Sequence, residues 1–434
     1  MNIKLIKDKT FAIFIGGKAI SVIGSNIQQF ALSLYVYAQT GSATLFATML
    51  SISILPRLLF SPVAGVFGDW FDRKKTIVRL DFFNAMILGL YALYFMNTNH
   101  LEIFLIYILV VVLEIGELFY ESAAAAIIPS IVEKEDIPAA KSLQSIVINI
   151  GRLLSPMLGA AIYGTVGLLA VLVINGLSFL IAALFESFMK IPALHKRPES
   201  LNIQAFFTDL KEGFIIIRDH HLIRTIIILA TIINFIIGPF FTVGFIVIII
   251  DVLGASEFQF GLFQSTLAAS LIAGPMFIVG FIRKFDIAKV CFVGFIIAAS
   301  LTISMALIPS SWMLSRMPGM ILPFTMLLAL SFLVGLTVSV INITIASLFA
   351  TTVPTHAIGR ASSVMNLLVT MFIPIGQITY GILLDNIAPS FIMIVSGLIV
   401  LFTVLAFRHS LLKTTDATSN ETKKGMISDE VHVS

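Results

Sequence analysis

Between Lys289 and Arg316, and again between Arg360 and Asp385, the sequence carries no charged residue. Runs of this length constrain the fold more than any other feature of the chain. A helix needs roughly 20 residues to cross the hydrocarbon core of a bilayer, and these runs are long enough. Charged residues make up 12% of the 434 residues and hydrophobic ones 58%, against about 25% charged in an average soluble domain. A soluble fold of this size would leave much of that apolar surface in water. The composition excludes a cytosolic enzyme, a nucleic-acid binder, a disordered chain and a disulfide scaffold. The expected solvent is the bilayer.

Scanning between charges and turn residues gives twelve such runs, near residues 11–37, 43–67, 76–96, 102–127, 138–163, 166–189, 222–250, 257–282, 287–308, 319–350, 359–384 and 388–408. None shows the polar/apolar alternation of a membrane β-strand, so a barrel is excluded. Lys4, Lys7 and Lys9 precede the first run and imitate a secretory signal. The run is too long for a signal h-region, and it is read as a retained transmembrane helix.

Positive charge sets the expected orientation. With a cytoplasmic N-terminus, the inner loops hold Arg73, Lys74, Lys75, Lys134, Lys141, Lys190, Lys196, Arg197, Lys211, Arg218, Arg283, Lys284, Lys289, Arg360, Arg408, Lys413, Lys423 and Lys424. The outer loops hold only Arg316. By the positive-inside rule both termini are cytoplasmic. A long inner connection, 190–221, contains an amphipathic stretch from Ile203 to Arg218 that is expected to lie on the inner membrane surface. It separates an N-terminal six-helix bundle (1–189) from a C-terminal one (222–410), and a polar, disordered tail (411–434) follows.

The two halves echo each other. The fifth span ends in Gly159-x-x-x-Tyr163-Gly164 and the eleventh in Gly376-x-x-x-Tyr380-Gly381. The second exits through Gly65…Asp69…Arg73-Lys74-Lys75 and the eighth through Gly280…Arg283-Lys284. A duplicated six-helix unit is implied, the arrangement expected when a substrate site lies between two rocking halves.

The remaining bulk features mainly exclude functions. A net charge of +3 is too small to argue for nucleic acid. The single cysteine, Cys291, sits in an apolar stretch and reads as an inert core thiol. The seven histidines fall outside the apolar runs or at their ends and show no metal-ligand spacing. There is no nucleotide-binding loop and no nucleophile elbow. No enzyme activity, metal or cofactor is expected, and direct ATP drive is not supported.

The loop after the second span reads Gly65-Val-Phe-Gly-Asp69-Trp-Phe-Asp72-Arg73-Lys74-Lys75. It resembles the cytoplasmic signature G-x-x-x-D-R-x-G-R-[RK] of the major facilitator superfamily, with Trp70 in place of the first arginine and Asp72 in place of the second glycine. The second departure resembles the drug:proton antiporter branch that includes macrolide-efflux and enterobactin-export proteins. Thr40-Gly41-Ser42, Ile128-Pro129, Asp209-Leu-Lys-Glu-Gly213 and Val353-Pro354…Gly359-Arg360 resemble that branch too. The resemblance covers nearly the whole chain. It implies that Asp69 latches the cytoplasmic side through the start of the eleventh span, where a carboxylate suits a helix N-terminus. It also implies that Arg73 pairs with an acid near the inner end of the fourth span. The bland reading of the same loop is the positive-inside rule alone.

The fifth span carries Gly151-Arg152-Leu-Leu-Ser155-Pro156-Met-Leu-Gly159-Ala160. This resembles the antiporter motif G-x-x-x-G-P-x-x-G-G, with serine and alanine replacing two glycines. Small residues at this spacing let helices approach closely, and proline bends the helix. Ordinary small-residue packing would use the same residues.

Charges inside the spans carry the most chemistry. An Asp, Lys or Arg at a helix centre costs about 2.5–3.5 kcal/mol even on the lenient insertion scale. The fourth span nevertheless holds Glu114, Glu117 and Glu121, whose spacing places them on one face. Arg152 in the fifth span lies about equally deep, and it is expected to pair with Glu114 or Glu117. Acids sharing one arginine would titrate unequally, which suits proton binding and release. A structural ion-pair network without proton coupling is the alternative. Lys18 is read as snorkelling from the inner end of span one. Arg79 and Asp81 are read as part of the cytoplasmic gate or its surface. Arg57 is a candidate to face a cavity, as are the polar Asn26, Gln29, Asn149, Asn234 and Asn342. Among the many phenylalanines and methionines, Phe30, Phe240, Phe241 or Met365 could shape an adaptable apolar pocket.

The expected molecule is an all-α membrane protein of the major facilitator fold, with twelve transmembrane helices in two pseudo-symmetric six-helix bundles. It is expected as a monomer in a bacterial plasma membrane. Its expected work is alternating-access export of a hydrophobic or amphipathic small molecule, a drug such as a macrolide, driven by the proton gradient. A siderophore or other metabolite exporter is the near rival, and a non-transporting receptor or scaffold the rival of another class. The scaffold would leave the half-to-half echo and the buried acidic face unexplained.

Overall fold

The computed structural model describes residues 5, 7–125, 127–189, 203–282, 287–317, 319–353 and 358–409; for 62, 65–70, 203–207, 209, 222, 276–282, 287–288 and 351–352 it describes the backbone alone. The polar tail and residues 190–202 of the inner connection lie outside the described residues. Within them the chain is nearly all helix, with no strand. Eleven helical segments among the described residues are long and apolar enough to cross a membrane. A further helix, Glu257–Ile282, covers the eighth expected span.

The first helices begin where the sequence supplies an oxygen for their free backbone N–H groups. In α1 (Lys9–Thr40), Asp8 accepts from the N–H of Phe11 at 2.8 Å. In α2 (Ala43–Trp70), Ser42 accepts from that of Leu45. In α3 (Arg73–Thr98), Asp72 accepts from that of Lys75 at 3.1 Å. Asp72 is one of the two departures from the family signature, and its position as a helix cap gives that departure a physical role. Next come α4 (Ile103–Ala125), α5 (Ile137–Val166), α6 (Leu168–Ser187) and α7 (Ile203–Asp219), the last being the amphipathic stretch.

The seventh span starts as α8 (His221–Pro239) and continues through widened turns at Phe240–Gly244 and Val247–Val252. The chain then runs through α9 (Glu257–Ile282), α10 (Ile287–Leu307) and α11 (Ile321–Thr352). The eleventh span is α12 (Ile358–Thr370) and α13 (Ile373–Leu384), and α14 (Pro389–Ala406) is the last. The break before α13 falls where Pro374 lacks an N–H and crowds the carbonyl four residues back.

The chain divides into two compact units. The first comprises 1–203 together with 249–265 and 377–385. In it α1 packs on α5 and α6, α3 on α6 and α4, and α2 on α4. Glycines allow two of these approaches. A Cβ on Gly24 would meet Ser178 and Asn175 of α6, and one on Gly159 would meet the carbonyl of Ile27 in α1. Two apolar clusters fill the unit. One is built around Leu32, Tyr35, Leu88 and Val171, the other around Phe11, Phe14, Ile77 and Tyr120. The second unit comprises 204–248, 266–376 and 386–434. In it α10 packs on α11 and α14, and α8 on α12. The amphipathic helix α7 is docked: Ile217 is buried beside Ala361 and Val364, and Glu212 pairs with Arg360. Outward side chains remain apolar, as in Phe104 at 70% and Phe402 at 73% exposure, which suits lipid contact.

Candidate functional site: a cavity with shared ion pairs

The acidic face of α4 opens into a cavity of about 140 Å³ in the first unit. Glu114, Glu117 and Glu121 all line it, together with Asn26 and Gln29 of α1, Arg57 of α2 and Arg152 of α5. The helical spacing of the three acids therefore reads out as a shared lining. The cation that closes the ion pairs differs from the expected one. Arg57 donates from Nε to Glu114 at 3.1 Å and from Nη1 to Glu121 at 3.0 Å. Arg152 is exposed along the cavity, and among the described residues it forms no ion pair with either acid. The reason is geometric: α2 packs directly on α4, and that brings Arg57 to the acids.

Glu117 turns the other way. Its Oε1 lies 3.9 Å from Nζ of Lys18. Lys18 does not snorkel, being 2% exposed and lying 4.7 Å from the centre of the Tyr120 ring. Asp81 is likewise not at a surface, at 1% exposure. Behind Tyr120 stands Glu186 of α6, which the sequence reading passed over. It is fully buried, and its Oε1 accepts the Tyr120 hydroxyl at 2.6 Å. A carboxylate inside an otherwise apolar stretch near the end of the sixth span was the available signal. Asn84 of α3 is buried with it, its amide close enough to Gly116 that a Cβ there would come within about 3 Å.

Formal charge separates the two regions. Facing the cavity or touching its lining are three acids, Glu114, Glu117 and Glu121, and three bases, Lys18, Arg57 and Arg152. Their charges balance. At about 140 Å³ the cavity is smaller than the roughly 300–1,000 Å³ usual for ligand sites. It suits water and protons better than a bulky organic molecule. Its uncharged wall is built by Gln28 and Asn175, which hydrogen-bond to each other.

The other expected residues are placed as follows. Gly151, Ser155 and Gly159 face α1: Gly151 lies against Val22 and Ile23, and the Ser155 hydroxyl points at the Ile23 carbonyl, 3.4 Å away. Pro156 interrupts the α5 ladder, and the Met157 N–H donates to the Ser265 hydroxyl of α9 at 3.3 Å. Asn149 lies along α5, with its amide 3.4 Å from the Ser145 hydroxyl. Asn234 and Asn342 line a separate cavity of about 90 Å³ in the second unit. Phe30 stacks on Phe260, whereas Phe240 and Phe241 pack on each other and on Phe245. In the cytoplasmic signature, Asp72 pairs with Lys75, and Lys74 and Arg73 form the first turn of α3. At Gly65 and Asp69 only the backbone is described.

A second polar group, not anticipated, sits at the opposite ends of α1 and α2. The Asp385 carboxylate accepts from the Ser42 hydroxyl at 2.8 Å and from the N–H groups of Ala43 at 2.6 Å and Thr44 at 3.2 Å. It thereby caps α2 from the end of α13. Burial alone would raise the Asp385 pKa. The hydrogen bonds from Thr44, Ser42 and the backbone outweigh burial and hold it below the usual carboxylate value. Nearby, the Tyr37 hydroxyl donates to Asp251.

With this geometry in place, comparison with known proteins is informative. A family model described as transmembrane secretion effector matches residues 4–434. Macrolide efflux protein A of Streptococcus pyogenes is 25% identical over 390 residues, covering 89% of this chain and 92% of the relative. Macrolide efflux protein A of Enterococcus faecalis is 24% identical over 341 residues, covering 77% and 99%. Among solved structures, a POT family transporter in complex with 5-aminolevulinic acid aligns with a TM-score of 0.67 at 13% identity, over 93% of this chain and 96% of that one. At that identity the structural likeness speaks for the fold alone.

Proposed function

We propose that this chain, which belongs to the transmembrane secretion effector family of the major facilitator superfamily, expels a hydrophobic or amphipathic compound of the macrolide class in exchange for protons. That it is a multi-pass membrane transporter follows from the family and the spans. The substrate class comes from the two macrolide efflux relatives that cover most of the chain. The energy source comes from the site. One observation carries it: Glu114 and Glu121 share the single guanidinium of Arg57 on the wall of a cavity inside the spans.

Two carboxylates on one cation form a proton switch in outline. With both ionised, Arg57 is held between them. A proton arriving on either acid removes one ion pair and frees one arm of the guanidinium. The local charge then changes by one unit beside Glu114, whose side chain is 18% exposed, so the change is worth more there than in bulk water. A two-state transporter can use that difference to favour one side of the membrane over the other, because an equilibrium shifts only by the differential free energy of binding. The proposed cycle is alternating access, with substrate and proton each favouring opposite states.

Proteoliposomes of the purified chain test this. With an imposed pH gradient, a labelled macrolide should move against its concentration gradient, and adding macrolide should release protons. Glu114→Gln and Glu121→Gln should uncouple the two fluxes while the protein still inserts. Macrolide movement that ignores the pH gradient in the parent protein would overturn proton coupling. An absence of macrolide movement, with a siderophore moved instead, would overturn the substrate class.

A further inference from the structure

Behind the cavity the charge balance fails. Asp81 and Glu186 are 1% and 0% exposed, and each has one carboxylate oxygen with no hydrogen-bond partner, Oδ2 and Oε2 respectively. Both amide atoms of the adjacent buried Asn84 are unpartnered too. The cation acting on both acids is Lys18, which already faces Glu117. Fully ionised, Asp81, Glu117 and Glu186 would set three negative charges against one positive charge. An isolated buried carboxylate costs so much that such a group neutralises instead.

From this cluster we infer that Asp81 and Glu186 form a second proton-binding site, which holds one exchangeable proton between them at neutral pH. The titratable groups facing it are known from each packed helix: Lys18 from α1, Asp81 from α3, Glu117 and Tyr120 from α4, and Glu186 from α6. From α5, Arg152 lies on the cavity side, where it is exposed. Within the pair, Tyr120 donates to Glu186 and supports its ionised form. Asp81 has no such donor at Oδ2, so the proton sits on Asp81.

A chain of contacts links the pair to the cavity: Glu117 lines it and lies 3.9 Å from Lys18, Lys18 lies over the Tyr120 ring, and Tyr120 donates to Glu186. When a proton leaves Asp81, its electron pair stays as a carboxylate and water takes up the proton. The adjacent Lys18 then has an additional anion to compensate. A bound metal cation is a poorer occupant, because the Lys18 ammonium stands beside the pair. The existence of the site does not depend on transport. Its part in coupling does rest on the proton-driven export proposed above.

Infrared difference spectroscopy of the full chain in phosphatidylcholine vesicles tests the site directly. At neutral pH the parent protein should show the carbonyl stretch of a protonated carboxyl. Asp81→Asn should remove that band. Glu186→Gln should remove it as well, since Asp81 can then ionise beside Lys18. Both variants replace a carboxyl by a neutral amide of the same shape, and the two readings are independent if one of them folds poorly. Glu114→Gln should leave the band in place. A band that survives both variants, or that is absent from the parent, overturns the inference. So does a band that disappears when sodium replaces choline, because the pocket would then bind a metal cation. Pyranine-loaded vesicles give the coupling arm. If macrolide-linked proton release persists in Asp81→Asn, the coupling role of the pair is overturned. If the parent protein shows no proton release while the band is present, the proposed function fails and the site stands.

Discussion

Lys18 shows how little a single position reveals before its neighbours are known. In sequence it is a lysine near the inner end of a helix, where snorkelling is the ordinary outcome. The fold instead gives it Glu117 at 3.9 Å and the face of Tyr120. It is the cation that makes a buried group of acids tolerable. Removing one partner of a buried pair costs about 3–5 kcal/mol, because an uncompensated charge remains. Lys18→Met should therefore lower the thermal midpoint of the purified protein sharply, and Lys18→Met with Glu117→Gln should recover part of the loss. A double variant no more stable than Lys18→Met alone would show that the pair carries no such coupling. The same scale explains why the candidate site was only half legible. Glu114, Glu117 and Glu121 announce themselves by i, i+3 and i+4 spacing on one helix. Arg57, Lys18 and Glu186 reach them through packing of separate helices, which no local pattern encodes.

Helices were the most legible level, because uncharged length is nearly sufficient to specify a span. What length could not show is where a span breaks. Pro374 interrupts the eleventh span, and the seventh continues past Pro239 in widened turns. Nor could it show that α2 borrows a cap. Asp385, remote in sequence, satisfies N–H groups at its start. Asp385→Ala should cost about 1 kcal/mol, below the roughly 1.5–3 kcal/mol of a hydrogen-bonded charge, since water reaches the group. The pH dependence has a definite sign. The folded pKa lies below the ordinary carboxylate value. The stabilisation is therefore complete above that ordinary value and is lost as pH falls through the folded pKa. Acid titration of the thermal midpoint should show a component in that window that Asp385→Asn lacks. Identical acid profiles for the two proteins would remove Asp385 from the account.

Across the whole chain, the repeated glycine motif corresponds to a repeated contact. A Cβ on Gly159 would collide with the carbonyl of Ile27 in the first span, and one on Gly376 with the carbonyl of Phe235 in the seventh. The fifth span therefore lies on the first as the eleventh lies on the seventh, and each contact falls within its own compact unit. That equivalence supports a duplicated unit more strongly than the letters alone. An even number of spans per repeat also constrains topology, because it returns the chain to the side on which it began. Together with the basic inner loops, a six-span repeat predicts residues 97–102 outside and 132–136 inside. The chain offers a clean way to check this. Its one cysteine, Cys291, is fully buried. A Cys291→Ala background removes that thiol without placing an unpaired hydroxyl in the apolar cluster around it, and it carries no other thiol. In that background, Thr98→Cys should react with a membrane-impermeant maleimide on intact cells. Lys134→Cys, equally exposed in the structure, should react only after the cells are opened. The reverse pattern would invert the molecule in its membrane, and with it the direction in which protons moving down their gradient could drive export.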